Sequence, residues 1–255
     1  TPFASTNEGQ ATFFTYIIAF FFRLFGVGVP TMRLTSAVAG ATTVFAFYFL
    51  ARELYGARSA LVGTALLALS RWHITFSRIV YEAILAPLFE ILAFYFLLRG
   101  LRERRWRDLV LAGMAVGAGL HTYTAFRVIP LVVVAFLAVL ALVAWKEVRQ
   151  TWPGLLAALG GAALVVNPLG LYALRHPQQF TGRMVHISVM HEVQTAGNWG
   201  PIWSNVRKTL QMFHYKGDLA ALHNLPGAPM LDVWMGALVV LGLAHEEQHQ
   251  ELILT

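Results

Sequence analysis

The stretch Met32–Phe89, MRLTSAVAGATTVFAFYFLARELYGARSALVGTALLALSRWHITFSRIVYEAILAPLF, decides the fold. It holds two apolar runs, Met32 to Leu50 and Ser59 to Phe76, parted by the charged turn RELYGAR and leading into a polar island from Arg71 to Glu82. Runs of about 17–25 apolar residues match a bilayer core of about 30 Å, where each backbone amide must find a partner within its own segment, so they read as membrane helices. Further runs follow at Ala83–Leu98, Leu109–His121, Val128–Trp145 and Pro153–Tyr172. Of the 255 residues, 57% are hydrophobic and 13% charged, and the mean hydropathy is +0.60, too apolar for a water-soluble domain. The expected fold is all-α, a polytopic membrane helix bundle.

Charge sorts the turns. RELYGAR (Arg52 to Arg58), RGLRERRWRD (Arg99 to Asp108) and KEVRQ (Lys146 to Gln150) hold two, five and two Lys or Arg, against three in the alternate turns around Arg71–Glu82 and His121–Arg127. The positive-inside rule makes the first set cytoplasmic and the second external. The net charge of +6 is therefore a topology signal, and with no basic face it excludes nucleic acid as a partner. With no cysteine, disulfides, thiolate nucleophiles and Cys-ligated metals are excluded too.

Parity of crossings leaves no room for a span before Met32, so the aromatic run FFTYIIAFFFRLF is expected to lie along the interface as an amphipathic helix. The expected organisation is an external-loop remnant with that helix (1–31), a transmembrane bundle (32–172), an external loop or small subdomain (173–231), a truncated membrane helix (232–244) and a tail of foreign appearance (245–255). Thr1 carries neither Met nor a leader, and the chain is expected to be a piece of a longer one. Gly113, Gly117 and Gly119 form a candidate close-packing face.

The chemistry collects on the external turns. Arg78 and Glu82 stand four apart, a spacing that on one helix shares a face. An arginine there can bind an anion, and the carboxylate can orient a hydroxyl. The same pair serves equally as an ion pair anchoring a helix end, with Trp72 in an aromatic belt. His73 and Tyr81 accompany them. In the second turn, GLHTYTAFRVIPL (Gly119 to Leu131), His121 and Arg127 are six apart, so a turn is expected before Pro130. Arg127 could grip a phosphate or snorkel from a helix end, with His121 and Tyr123 as neighbours. The two turns together predict an outer-face cavity for an amphiphile with an anionic head.

The run Arg23–Leu101 and the turn Gly119–Leu131 resemble bacterial lipid-carrier-dependent glycosyltransferases related to protein O-mannosyltransferases and the lipid A aminoarabinose transferase. The resemblance extends over roughly Ala11 to Ala244. It implies a C-type glycosyltransferase transmembrane core, here incomplete, and a sugar passed from a polyprenyl-phosphate donor to a lipid, glycan or protein acceptor at the outer face of the cell membrane. It further implies a catalytic Asp in the first external loop, expected before Thr1; Glu8 is the sole acid of the remnant. Where the family often has Gly-His-Pro, this chain has Gly9, Gln10 and Ala11. The mannosyltransferase branch carries Arg and then Asp five residues on, and here Arg78 precedes Glu82 by four. By this resemblance Arg78 helps bind the donor phosphate and Glu82 lines the acceptor or sugar site; from the residues themselves Glu82 is the catalytic candidate of this chain, Arg127 a second phosphate-binding cation, and His73, Tyr81, His121 and Tyr123 candidates to line the substrate. No cofactor is fixed by it, a divalent cation being the candidate.

The tail HEEQHQELILT contains H-E-x-x-H and resembles the iron-binding segment of ergothioneine-type sulfoxide synthases, which makes His245 and His249 the alternative metal ligands. An unrelated sequence joined to a transferase is the expected explanation. The alternative from another class is a transporter or flippase of polyprenyl-linked lipids, which would keep ionisable residues near mid-helix. The charges here stand mostly at helix ends.

Overall fold

The computed structural model describes residues 3–4, 10–177, 189–217, 219, 225–231 and 236. Two-residue strands, β1 (Phe3–Ala4) and β2 (Gln10–Ala11), pair antiparallel, and the remaining regular structure is helical. The helices are α1 (Phe13–Phe25), α2 (Val29–Leu69), α3 (Arg71–Arg78), α4 (Leu85–Glu103), α5 (Trp106–Gly119), α6 (Ile129–Val143), α7 (Trp145–Arg175), α8 (Val189–Ala196) and α9 (Gly200–His214). Short 3-10 turns, Glu82–Ile84 and Thr124–Val128, precede α4 and α6. The chain divides into two compact units, Thr1–Ala65 with Phe76–Ile187, and Leu66–Thr75 with Ser188–Thr255.

In the first unit, α2 runs 41 residues, about 60 Å if straight and twice a bilayer core. It is not straight. Gly56 takes φ 81° and ψ 171°, a conformation that only glycine adopts readily. A Cβ built on Gly63 lies 3.5 Å from the Phe47 ring, whereas sixteen residues of straight helix would separate those positions by about 24 Å. The chain therefore folds back at Gly56, inside the RELYGAR turn. Among the described residues four helices, counting the whole of α2 as one and including the 3-10 turns that lead into α4 and α6, are long and apolar enough to cross a membrane. At 13 residues α1 is too short, about 20 Å; it packs Phe14 against Ala39, Ile84 and Leu85 and exposes Tyr16, Phe20 and Leu24.

Helices α4, α5 and α7 form the tightest packing. Lipid tails are as apolar as leucine, so close approach of backbones has to supply the attraction. Gly113 and Gly117 of α5 meet Ala158 and Ala162 of α7, and a Cβ on Gly113 would sit 1.8 Å from the Ala158 carbonyl oxygen. From α7, Gly161 approaches the Val110 carbonyl in the same way. Leu97, Leu101, Leu109 and Ala112 fill the space between α4 and α5. Gly119, expected on the same face, instead receives the ring of Phe126.

The basic turns gather at one end of the unit. Arg102 bonds Glu53 at 3.0 Å and Arg104 reaches Glu147 at 3.4 Å, linking the ends of α4 and α7 to the Gly56 turn. Arg99 lies between Glu103 and Asp108 at 3.4 and 3.5 Å. Each exposed pair contributes under about 1 kcal/mol, but together they show which turns are neighbours. The opposite end of the unit carries Phe76–Leu85 and Leu120–Ile129.

The structure corrects several local expectations. The run Ser59–Phe76 is not one span: α2 ends at Leu69, and α3 starts after Ser70, whose carbonyl accepts the Ile74 amide. KEVRQ is not a turn; the break falls at Ala144, and the charges form the first turns of α7, where Glu147 complements the helix dipole. Arg78 and Glu82 do not share a helix face. The helix stops at Arg78, and Tyr81 is extended at φ −135°, because β-branched Ile79 and Val80 followed by an aromatic disfavour continuing it.

In the second unit α8 precedes α9, and the Asn198 side chain accepts the Gly200 amide at 2.8 Å to start α9. The segment 228–231 returns to it, Met230 and Leu231 donating to the Met212 and Phe213 carbonyls, and the Arg71 guanidinium donates to the Pro229 carbonyl. Glu8, Gly9, the expected truncated helix 232–244 apart from Gly236, and the tail with His245 and His249 lie outside the described residues.

Candidate functional site

Two turns at the less basic end of the first unit build the candidate site. In the first, Ile84 and Leu85 are buried against Phe14 and Ala39, which fixes the 3-10 turn that begins at Glu82. Glu82 is half-buried, and Arg78, at the end of α3, is exposed.

The second turn is held from three directions. Buried Thr122 donates both its amide and its Oγ1 to the Gly119 carbonyl, at 2.9 and 2.6 Å, closing the end of α5. Phe126, 2% exposed, lays its ring on Gly119. His121 donates from Nε2 to the Val165 carbonyl at 2.9 Å. Pro168 on α7 lacks the amide that would pair with the Leu164 carbonyl, the neighbour of the carbonyl that His121 takes. Arg127, half-buried, follows on the 3-10 turn directly before α6.

The turns meet through Tyr81 and Tyr123, whose ring centroids are 5.8 Å apart at 64°. Phe76 packs on Tyr81 at 5.9 Å, and Phe13 of α1 lies 6.5 Å from His121 and 6.0 Å from Phe89. An aromatic wall thus joins α1 and both turns. Of the residues singled out from sequence, the first unit contains Arg78, Tyr81, Glu82, His121, Tyr123 and Arg127. His73 belongs to the second unit.

Sequence reasoning passed over Glu90. It sits inside an apolar run on α4 and shares the i, i+3, i+4, i+7 stripe with Ala93, Phe94 and Leu97; Ala93 and Leu97 are buried, and Phe94 packs on Phe136 at 6.2 Å. A lone carboxylate within a membrane-length segment was the available signal, since such groups are costly there and tend to be functional. The other carboxylates of α4, α5 and the Gly56 turn, Glu53, Glu103 and Asp108, are ion-paired at the basic end.

The end therefore offers two guanidinium groups, two carboxylates and an aromatic wall at membrane depth. Arginine matches the fork of a phosphate, carboxylates accept from hydroxyls, and flat rings pack on sugar faces or isoprenoid chains. No group of three His, Asp or Glu able to hold a metal ion occurs among the described residues.

The sequence model of the family described as dolichyl-phosphate-mannose-protein mannosyltransferase matches residues 10–171, more than half of the chain and all of the helices that frame these turns. No curated protein and no solved structure gives a match.

Proposed function

The chain belongs to the dolichyl-phosphate-mannose-protein mannosyltransferase family and is a membrane glycosyltransferase, and from that premise we propose that it moves a mannosyl or closely related sugar from a polyprenyl-phosphate donor to an acceptor hydroxyl at the Tyr81–Tyr123 end. The observation that carries the proposal is the meeting of the two turns, which puts Arg127 and Glu82 on neighbouring segments joined by a ring contact of 5.8 Å.

In this reading the chain crosses the cell membrane several times: twice in α2, once before and once after Gly56, and again in α4, α6 and α7, the shorter α5 with its flanking turns returning the chain between α4 and α6. The ion-paired basic end is cytoplasmic, and the aromatic end faces outward. Arg127 and Arg78 hold the donor phosphate at headgroup depth, and the isoprenoid chain lies along exposed apolar surface. The acceptor oxygen attacks the anomeric carbon as the bond from that carbon to the phosphate oxygen breaks. The lipid phosphate leaves with the bonding pair, and the acceptor proton passes to Glu82. Phosphate is already a stable anion, so cations that hold it and a carboxylate that aligns the hydroxyl supply most of what the step needs.

A transporter would place ionisable groups at mid-span. Glu90 lies only five residues into the 19-residue α4, near the aromatic end. Transfer of labelled mannose from a polyprenyl-phosphate carrier by the full-length protein tests the proposal. Arg127→Gln and Glu82→Gln should each lower turnover by about 10²-fold or more, as removal of charge-stabilising or proton-accepting groups does. Wild-type rates in both variants, with folding intact, would refute the assignment.

A further inference from the structure

One two-faced, exposed helix lies outside the site. Along α9 and its cap, Trp199, Trp203, Val206, Leu210 and Phe213 recur at intervals of four and three, one stripe of a helix. They are 63, 71, 43, 68 and 39% exposed, although a buried core is where such residues normally go. The other side of α9 lines a groove of about 600 Å³ with Asn205, Lys208, Gln211 and Lys216. From Val193 to Gly217 the chain has no carboxylate, and Arg207, Lys208 and Lys216 are exposed and in no ion pair among the described residues.

We propose that α9 is a membrane-surface helix, lying in the plane of the bilayer with the Trp203–Leu210 stripe in the acyl boundary, Arg207 and Lys216 on anionic lipid headgroups and Lys208 on the water side. The occupant follows from the chemistry of the two faces. A protein partner would have to match aromatic side chains and a purely cationic flank together, whereas an anionic leaflet presents that combination everywhere. Tryptophan is the side chain most at home at headgroup depth, and each Lys or Arg near an anionic surface adds about fivefold to the affinity. The bilayer is already at hand, because the same chain is a membrane protein. Such a helix holds the second unit at the depth where a lipid-borne substrate travels, and it does so whether or not the transferase reading is correct.

The chain has no cysteine, so Leu210→Cys and Lys208→Cys each create a sole thiol for a nitroxide label. The labelled full-length protein is placed in nanodiscs of phosphatidylcholine with phosphatidylglycerol, and collisions with oxygen and with a water-soluble nickel chelate are measured. The label at 210 should collide with oxygen and be shielded from nickel, and the label at 208 should show the reverse; Val206→Cys serves if Leu210→Cys misfolds. Adding Arg207→Gln and Lys216→Gln should abolish the lipid signature at 210, or reduce it severalfold. Nickel access at 210 equal to that at 208 would overturn the proposal, as would shielding from both reagents, the mark of a second copy or another protein covering the stripe. A signature indifferent to phosphatidylglycerol and to the two substitutions would overturn the headgroup assignment.

Discussion

Replacing Gly119 with alanine tests how the second turn is held. A Cβ at this position would lie 2.0, 2.2 and 2.5 Å from Cζ, Cε1 and Cε2 of Phe126, contacts that no real Cβ tolerates. The ring is 2% exposed and has no free space to enter, so Phe126 must move and draw the Thr124–Val128 turn, and with it Arg127, away from its place. Overpacking of this kind costs about 1–3 kcal/mol. The better helix propensity of alanine returns up to about 1 kcal/mol, leaving a net loss of roughly 1–2 kcal/mol. A displacement near 1 Å at a phosphate-binding arginine should lower turnover about 10²-fold. The three closest contacts are with ring atoms that leucine lacks, so Phe126→Leu in the same chain should relieve most of the clash. Thermal unfolding in detergent and sugar transfer, measured for both single variants and the double, complete the cycle. The double variant should be about 1–2 kcal/mol more stable than the sum of the singles predicts. Strict additivity, or a Gly119→Ala variant as stable and active as wild type, would refute the account of the turn.

Gly113→Leu should damage the fold more severely, because the added Cβ meets backbone, the Ala158 carbonyl at 1.8 Å, and α5 and α7 must part; a loss of about 3 kcal/mol or more is expected, read as a lowered unfolding midpoint. Gly160→Leu, at a position with open space around it, should leave that midpoint nearly unchanged. Glu90→Gln keeps the shape and removes the charge: if Glu90 serves the transferred sugar or acceptor, turnover should fall at least tenfold at unchanged stability, and a variant that is stabilised and fully active would show the acid to be idle.

Much of the architecture was legible because the bilayer imposes it. Run lengths and the placement of arginines gave the helices, the fold-back near Gly56 and the sorting of turns, which the ion pairs from Arg102 to Glu53 and Arg104 to Glu147 reproduce. Helix ends were harder. Leu69 and Arg71 belong to different helices because the break at Ser70 involves one residue, too little to register against eighteen apolar neighbours. KEVRQ reads as a loop by charge, yet its residues are good helix formers and continue into α7. The facing of Tyr81 and Tyr123 could not be read from sequence at all. It depends on the rotation of α4 and α5 about their axes, which distant contacts such as Gly113 with Ala158 determine. His121 looked available to substrate, but its Nε2 donates to the Val165 carbonyl of α7, 44 positions along the chain. Glu90 was legible and overlooked, a single acid in a run judged by its average.

The central claim is that a polyprenyl phosphate docks at the end where Tyr81 meets Tyr123. A photoreactive polyprenyl phosphate, irradiated with the full-length protein in nanodiscs and mapped by peptide sequencing, tests it most directly. Adducts on Ile79–Leu85 and Leu120–Val128, suppressed by unlabelled carrier and weakened by Arg127→Gln, are the predicted result. Adducts confined to the basic end, around Arg52–Arg58 and Glu103–Asp108, would contradict it.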